Sequence, residues 1–413
     1  MVDARGTAPV HEINWRRNLY ALWIAQLLTI MGFSMRTPFL PFFLEDIGAA
    51  SFSSQALWAG AINAGGAIVM AVSAPIWGIV ADRRGRKLMV LRAMFMASFT
   101  VSLISLAQSP WHLLGLRFVE GAFTGTVAAS TTLVASTTPR HHRGFALGMM
   151  QTAIFSGASA GPLIGGVLAD QIGYRATFIA AGVLIFASAI IVVTQVQEHF
   201  ERPAPPLEGE STGPSTRTLL FGASMLAMIG VMFALRTGNS AIQPIMPLYV
   251  EDLADSGSVA TLAGLTLGIA GLTSALSAIT LGRMADRIGH RRILIPAAFA
   301  TAILYLPMAF AGSPWQLIII SGLVGIAAGG VTPSANAVIS NLTPAARRGA
   351  IFGFTSSVTA MGGFFGPLGG AAIAATIDIR LVFVAISILM LIGALGVLLA
   401  IRSGVDLDAE GEE

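Results

Sequence analysis

The stretch GIVADRRGRKLMV, at residues 78–90, interrupts a long apolar run with five charged side chains. A second stretch, LGRMADRIGHRRILI at residues 281–295, interrupts another apolar run in the same way. The matched positions are Gly78 and Gly282, Asp82 and Asp286, and Gly85 and Gly289. A pattern of this length that occurs twice indicates an internal repeat. In each copy, two apolar segments are joined by a short charged loop.

The composition places these apolar segments in a lipid bilayer. Mean hydropathy is +0.76, and only 11% of the 413 residues are charged, against about 25% in soluble domains. The chain has no cysteine, and its six histidines lack the spacing of a metal site, so we expect no metal and no cofactor. The only lysine, Lys87, precedes a leucine, which excludes a phosphate-binding loop of an ATP-driven pump.

Twelve apolar runs are long enough to cross a bilayer as helices, each reaching the roughly 20 residues that a crossing requires. The predicted spans are 19–44, 56–80, 88–108, 112–136, 145–169, 176–196, 219–250, 259–284, 293–312, 315–340, 350–375 and 381–401. The alternation typical of a β-barrel is absent from the sequence. Most arginines fall on one side of this topology, which predicts cytoplasmic N- and C-termini in the cell (inner) membrane.

One long polar connection divides the twelve spans into two sets of six. The segment at residues 197–217 is rich in Pro, Glu, Ser and Thr, which indicates a cytoplasmic linker. We therefore expect an N-terminal six-helix bundle at 1–196 and a C-terminal bundle at 218–402. The remaining residues, 403–413, are expected to form an acidic cytoplasmic tail.

The repeat extends over both halves. The further matches are PFLPFFLED at 38–46 with PIMPLYVED at 244–252, SPW at 109–111 with 313–315, TPRHHRG at 138–144 with TPAARRG at 343–349, GPLIGG at 161–166 with GPLGGA at 366–371, and YRATF at 174–178 with IRLVF at 379–383. All are offset by 204 to 206 residues. Two parallel six-span copies in one chain favour a transport pathway on the axis between them.

With these motifs the chain resembles the major facilitator superfamily over essentially its whole length. Residues 78–87 fit the family signature Gly-x-x-x-Asp-Arg-x-Gly-Arg-Arg/Lys at every specified position, and RFVEG at 117–121 is similar to the signature of span 4. GASAGPLIGG at 157–166 is similar to the span 5 motif of exporters that exchange substrate for protons. The resemblance implies an all-α membrane protein with twelve transmembrane helices in two pseudo-symmetric six-helix bundles. It also points to the twelve-helix drug:proton antiporters.

The charged loop has two interpretations. Resemblance to the family implies that Asp82 and Arg86 form a latch that closes the cytoplasmic side, near a helix N-terminus and arginines of the other half. The alternative is a basic cluster that only fixes the orientation of the chain. The predicted gate comprises Gly78, Asp82, Arg83, Gly85, Arg86, Lys87 and Asp286.

Span 5 contains a row of small residues. Gly157, Gly161 and Gly165 lie four residues apart and form one smooth helix face, while Pro162 introduces a local weakness. The functional interpretation is a pliable seam that biases the carrier towards export. The alternative is ordinary packing of small residues between helices.

Charges inside the spans point to the transport site. An arginine at mid-bilayer costs about 2.5 to 3.5 kcal/mol, so we expect Arg36, Arg117 and Arg236 to face a cavity or partners. Glu120 lies three residues after Arg117 and can pair with it. Glu120 and Arg117 are candidates for proton coupling, provided that the pair opens during the cycle. The alternative is a permanent structural ion pair.

The predicted substrate cavity comprises Arg36, Asn63, Gln151, Arg236 and Gln243. Three arginines against one glutamate favour anionic, zwitterionic or neutral substrates over cations. The sequence thus predicts that the protein is not an enzyme. It predicts a monomeric secondary carrier that exports amphipathic small molecules in exchange for protons. Its expected partners are substrate, protons and lipid, without nucleic acid. The alternative is an importer or exporter of one small organic solute, such as an organic anion, a sugar or a siderophore-like metabolite.

Overall fold

The protein is almost entirely helical in a computed structural model, which describes residues 14–123, 125–198, 222–254, 257–343 and 348–402. The helices of the first half are α1 (Trp15–Met35), α2 (Leu40–Asp46), α3 (Phe52–Arg84), α4 (Arg86–Ile104), α5 (Pro110–Phe123), α6 (Thr126–Thr137), α7 (Arg143–Ile172) and α8 (Tyr174–Gln195). Those of the second half are α9 (Ala223–Ile242), α10 (Met246–Leu253), α11 (Val259–Ile288), α12 (His290–Met308), α13 (Pro314–Gly329), α14 (Val331–Asn341), α15 (Arg348–Thr376) and α16 (Ile379–Arg402). Helix for helix, the second half repeats the first. Nearly all of the predicted linker and all of the predicted acidic tail lie outside the described residues.

Eleven segments among the described residues are long and apolar enough to span a membrane. They correspond to the predicted spans except the fourth, which is divided into α5 and α6. Gly125 begins α6 with a φ of +128°, a conformation that other residues rarely adopt. The chain is thus a multi-pass membrane protein.

The boundaries predicted for the first and seventh spans were wrong. The segment at 19–44 is not one helix, because α1 ends at Met35 and α2 begins at Leu40. Pro38 lies between them and has no N–H to continue the helix. The segment at 219–250 is divided in the same way around Pro244, between α9 and α10.

The repeated charged loops are tight turns that require glycine. Gly85, between α3 and α4, has a φ of +93°, and Gly289, between α11 and α12, has a φ of +99°. Residues with a Cβ atom are strained at these angles. The two copies therefore share a backbone conformation as well as a sequence pattern.

One further arginine lies within a spanning helix. Arg92, in the predicted third span, lies in the second turn of α4. Its guanidinium stacks over the ring of Trp77, 3.4 Å from the ring centroid, and donates to the Phe123 carbonyl. The side chain is therefore held by aromatic and backbone partners of the same half.

Candidate functional site

The helices define two sides of the molecule. The turns at Gly85 and Gly289 lie on one side, here called the motif side, where α1 begins and α16 ends. The short helices α2 and α10 lie on the opposite side, here called the far side. This assignment follows from the alternating direction of consecutive spans.

The two halves contact each other on the far side, where small residues allow close approach. Gly60 of α3 lies against α15, and a Cβ atom added to it would be 2.7 Å from the Pro367 carbonyl oxygen. Gly264 of α11 lies even closer to the Pro162 carbonyl of α7. These two contacts are equivalent in the repeat, since Gly60 matches Gly264 and Pro162 matches Pro367. A contact between a proline of one half and a glycine of the other half therefore occurs at two equivalent places.

Polar contacts add to this closure. Asp170, at the end of α7, accepts hydrogen bonds from the Thr261 backbone N–H at 2.8 Å and from its hydroxyl at 2.6 Å. Thr261 lies in the first turn of α11, where backbone N–H groups lack partners within the helix and the helix dipole favours an anion. On the other interface, the Ser53 hydroxyl donates to the Ala375 carbonyl at 3.0 Å.

The motif-side ends of the same helices lie apart. On α3, the side chains of Val72 and Ile76 are 68% and 57% exposed. A Cβ atom added at Gly148 of α7 or Gly353 of α15 would meet no described atom within 4 Å. The interior between the halves is thus open on the motif side and closed on the far side.

A buried charge cluster lies between these regions, centred on Glu120 of α5. Arg36 donates to both carboxylate oxygens of Glu120, at 2.8 Å each. Arg117 Nη1 donates to Glu120 Oε1 at 2.7 Å, which is the (i, i+3) pair that the sequence predicts. The side chains of Arg36 and Glu120 are 10% and 6% exposed. Two guanidinium groups therefore share one carboxylate, and the cluster keeps a net positive charge.

Local structure explains how the arginines are held. Arg36 is the C-terminal cap of α1, where the carbonyl end of the helix dipole favours a cation. Arg117 also donates from Nη2 to the Asn63 side-chain oxygen on α3, at 3.0 Å. Its guanidinium packs over Gly66, where a Cβ atom would be 3.6 Å away. Arg117 thus lies against α3, at a distance where a Cβ atom at position 66 would make an ordinary van der Waals contact.

A cavity of about 170 Å³ between the halves gives this cluster access to the interior. From the first half it is lined by Asn63, Arg117 and Glu120, and from the second half by Arg236, Ser240 and Gln243. The guanidinium of Arg236 lies over Gly363, as that of Arg117 lies over Gly66. Among the described residues, no carboxylate pairs with Arg236.

The structure brings together most, but not all, of the predicted cavity residues. Asn63, Arg236 and Gln243 line the cavity. Arg36 lies behind it, bonded to Glu120, and Gln151 is exposed on the motif-side half of α7, away from the cavity. The partner of Arg36 is 84 residues away in the chain, so no local spacing could have indicated it.

The predicted seam on α7 has two faces. A Cβ atom added to Gly157 or Gly161 would lie 2.7 or 2.6 Å from a carbonyl oxygen of α1, in the same half, and Gly165 also packs on α1. The carbonyl of Pro162 instead faces α11, across the boundary between the halves. On α11 this boundary is formed by Gly264, Gly268 and Gly271, which the sequence analysis missed.

The predicted gate loop contacts its own half in this state. The backbone N–H groups of Arg86 and Lys87 each donate to the Glu198 carboxylate at 2.8 Å, and the Lys87 ammonium donates to the Val196 carbonyl at 2.6 Å. The side chain of Asp82 lies outside what the structure describes. Asp286 is 72% exposed, 3.9 Å from His290. Glu198, which caps α4, was not found from sequence because it lies in the predicted linker and belongs to no motif.

Carboxylates of the two halves also come together on the far side. Partial burial raises the pKa of Glu251 in α10, and the nearby Glu45 carboxylate of α2 raises it further. A carboxyl group with a raised pKa stabilises this closed state when it is protonated, and that stabilisation is lost as the pH rises through its pKa.

We therefore expect the far-side-closed population to increase as the pH falls through the raised pKa of Glu251. Distances between spin labels on α2 and α10 would measure it. Glu251→Gln should reduce this pH dependence, whereas Asp252→Asn, next to it, should preserve it. An unchanged pH dependence in Glu251→Gln would contradict the assignment.

Comparisons with known proteins agree with this architecture. The sequence profile of the Major Facilitator Superfamily matches residues 22–259 and 228–411. The chain is 37% identical over 390 residues to the "Multidrug resistance protein MdtG" of Serratia proteamaculans, covering 92% of this chain and 93% of that one. It is 33% identical over 395 residues to the "Multi-drug resistance efflux pump PmrA" of Streptococcus pneumoniae serotype 4, covering 95% and 98%.

The fold is also similar to that of a solved transporter. A bacterial homolog of the human lysosomal transporter Spinster, in an inward-facing and occupied conformation, superimposes with a TM-score of 0.78 at 14% identity, over 95% of this chain and 98% of that chain. At this identity the likeness concerns the fold alone. The profile match and the relatives show that the chain belongs to the Major Facilitator Superfamily of membrane transporters.

Proposed function

We propose that the protein exports amphipathic small molecules in exchange for protons, by alternating access of one cavity to the two sides of the membrane. The observation that carries this proposal is the charged cavity between two halves whose described residues pack together from the far side to the middle of α7 and α11. A cavity open on one side and closed on the other is what a carrier needs in one of its two states. The names of the two relatives, a multidrug resistance protein and a multi-drug resistance efflux pump, support export of drugs.

We infer that the motif side is cytoplasmic, and with it both termini. Most arginines of the chain lie in loops and tails of that side, which is the distribution of positive charge found at cytoplasmic surfaces. The described state is then inward-open, ready to take up a substrate from the cytoplasm or the inner leaflet. Since one chain contains both halves, we infer that it works as a monomer.

The proposed substrates are anionic, zwitterionic or neutral. Glu120 compensates only one of Arg36 and Arg117, and Arg236 adds a further positive charge across the cavity. Positive potential in a cavity of low dielectric attracts anions and repels cations. Asn63 and Gln243 would orient a substrate through hydrogen bonds.

For proton coupling we propose Glu120, with Arg117 as the partner that must release it. Both oxygens of the carboxylate accept hydrogen bonds from arginines in this state. Protonation of Glu120 would break hydrogen bonds to these arginines. We therefore assign proton uptake to the other state of the carrier, after the arginines have moved. Exchange requires that the substrate bind while Glu120 stays ionised, and Arg236 across the cavity offers a guanidinium that is not paired with Glu120.

The test is proton movement in proteoliposomes that contain purified protein and receive anionic, neutral or cationic amphiphiles. We expect anionic and neutral compounds to drive proton flux, and Glu120→Gln to abolish it while leaving substrate counterflow measurable. Asp378→Asn is the matched control, because this exposed carboxylate only caps the start of α16, a role that asparagine retains. Proton flux driven by cations alone, and unaffected by Glu120→Gln, would refute both the proposed substrate charge and the proposed proton site.

A second candidate is a carrier of one specific organic solute, in either direction. It is favoured by the cavity volume of about 170 Å³, below the roughly 300 to 1,000 Å³ of pockets for drug-sized ligands. Transport of a single compound class among the same amphiphiles and metabolites would distinguish this candidate from a multidrug exporter.

A further inference from the structure

An apolar groove in the second half differs from the transport cavity in place and chemistry. It lies between α11, α12 and α13 and encloses about 490 Å³. Its inner surface includes Leu281, Pro296 and Ala327, and the single charged side chain at its surface is Arg292. A cavity of this size is within the range that holds a small organic ligand.

The corresponding place in the first half is filled by side chains. At an offset of 204 residues, Leu281, Pro296 and Ala327 match Trp77, Arg92 and Phe123. The guanidinium of Arg92 lies 3.4 Å from the centroid of Trp77, whose ring centroid is 5.7 Å from that of Phe123. The Trp77 ring nitrogen also donates to the Ala122 carbonyl at 2.6 Å. Three large side chains thus occupy the space between α3, α4 and α5.

The surrounding backbone is arranged alike in both halves. The Ser73 hydroxyl of α3 donates to a carbonyl of α5 at 3.1 Å, and its match Ser277 of α11 donates to a carbonyl of α13. The turns at Gly85 and Gly289 also have the same conformation. The groove therefore results from smaller side chains on a conserved scaffold of helices, and it is present in only one half.

The rim of the groove is suited to lipid. Met284, Ile288 and Ile326 are 41%, 43% and 49% exposed, and such apolar side chains on spanning helices contact acyl chains. A groove of apolar groups gains dispersion contacts when a chain of methylene groups fills it. An acyl chain from the bilayer is the apolar molecule present at the highest concentration there.

Positive charge at one end of the groove favours an anionic lipid headgroup there. Arg292 is the third residue of α12, and its match in the first half is the apolar Leu88. Arg287 and Arg291 flank the same turn, so positive charge is concentrated at this end. Basic residues between spanning helices at a membrane surface bind anionic headgroups, and a guanidinium forms paired hydrogen bonds with phosphate.

We propose that this groove is a binding site for an anionic phospholipid, with one acyl chain along Leu281, Pro296 and Ala327 and the phosphate at Arg292. The site is separate from the transport cavity and does not depend on the proposed function. The three helices that form it belong to one half, so the lipid binds to a single rigid unit.

Native mass spectrometry of the purified, delipidated protein titrated with phosphatidylglycerol or phosphatidylcholine tests the proposal. We expect phosphatidylglycerol to bind more tightly, Arg292→Leu to weaken it by about tenfold or more, and Arg292→Lys to restore most of the affinity. Arg380→Leu is the matched control and should change the affinity by less than about twofold, since Arg380 is exposed on the far side and does not line the groove.

A second variant tests the acyl-chain part of the site. Ala327→Phe introduces the side chain found at the matching position of the first half, Phe123. It should abolish tight binding of phosphatidylglycerol. The thermal unfolding midpoint should stay within a few degrees of wild type. Equal affinity of Ala327→Phe and wild type would overturn the proposal. Equal affinity of wild type for the two lipids, or labelling of the groove by a photoreactive transported drug in place of lipid, would overturn it as well.

Discussion

Replacing Glu120 by alanine is expected to destabilise the protein by about 3 to 5 kcal/mol and to abolish transport. The change leaves Arg36 and Arg117 buried close to each other without a counter-charge, and it removes three hydrogen bonds. Both guanidinium groups are largely buried, since their side chains are only 10% and 13% exposed. Thermal unfolding of the detergent-purified variant, compared with wild type, measures the loss.

Two further variants distinguish charge from packing at this site. Glu120→Gln keeps the volume and one acceptor oxygen, so it should be less destabilising than alanine. A double variant, Arg36→Leu with Glu120→Leu, removes the most buried pair together and should unfold at a higher temperature than Glu120→Ala. If Glu120→Ala unfolded like wild type, the cluster would not contribute to stability in the way proposed here.

Replacing Gly264 by leucine is expected to prevent closure of the far side. The Cβ atom alone would overlap the Pro162 carbonyl, which belongs to the backbone and cannot rotate away. Overpacking of a close contact costs about 1 to 3 kcal/mol, which lowers the ratio of closed to open molecules roughly 5- to 150-fold. Since a carrier must pass through this state in every cycle, transport should fall in proportion.

The conformational effect can be measured directly because the chain has no cysteine. Cysteine pairs introduced on the far side, on either side of the boundary, allow spin-label distances without background labelling. Gly60→Leu, at the equivalent contact with Pro367, should produce the same shift. Gly396→Leu on α16, where an added Cβ atom meets no described atom within 4 Å, is the matched control. Far-side distances in Gly264→Leu identical to those of wild type would contradict this assignment of the closing contact.

Much of the fold follows from the sequence because membrane helices obey local rules. Length and hydropathy locate the spans, and the repeated loops identify the two halves, since Gly85 and Gly289 are required by the same turn. Two errors arise where proline lies within an apolar run, and a third arises where Gly125 divides the fourth span. Hydropathy does not change at Pro38, but the helix ends before it.

The site was less accessible to sequence reasoning, because its contacts join distant parts of the chain. The pairing of Arg117 with Glu120 follows from helix spacing, whereas that of Arg36 with Glu120 depends on how α1 packs near α5. Gly264, Gly268 and Gly271 form a row of small residues on α11, so the rule applied to span 5 would have found them. No such rule predicts which neighbouring helix packs against a row of small residues.

The paired contacts of proline and glycine on the far side have a consequence for the origin of the chain. The first half supplies a glycine at position 60 and a proline at 162, and the second half supplies a proline at 367 and a glycine at 264. Each half therefore contains both members of the contact and is complementary to a copy of itself. A six-helix ancestor with this one surface would have formed a two-fold homodimer with both contacts already in place. Gene duplication and fusion would then have fixed the pairing, after which Glu120, Arg236 and the lipid-sized groove were free to diverge between the copies.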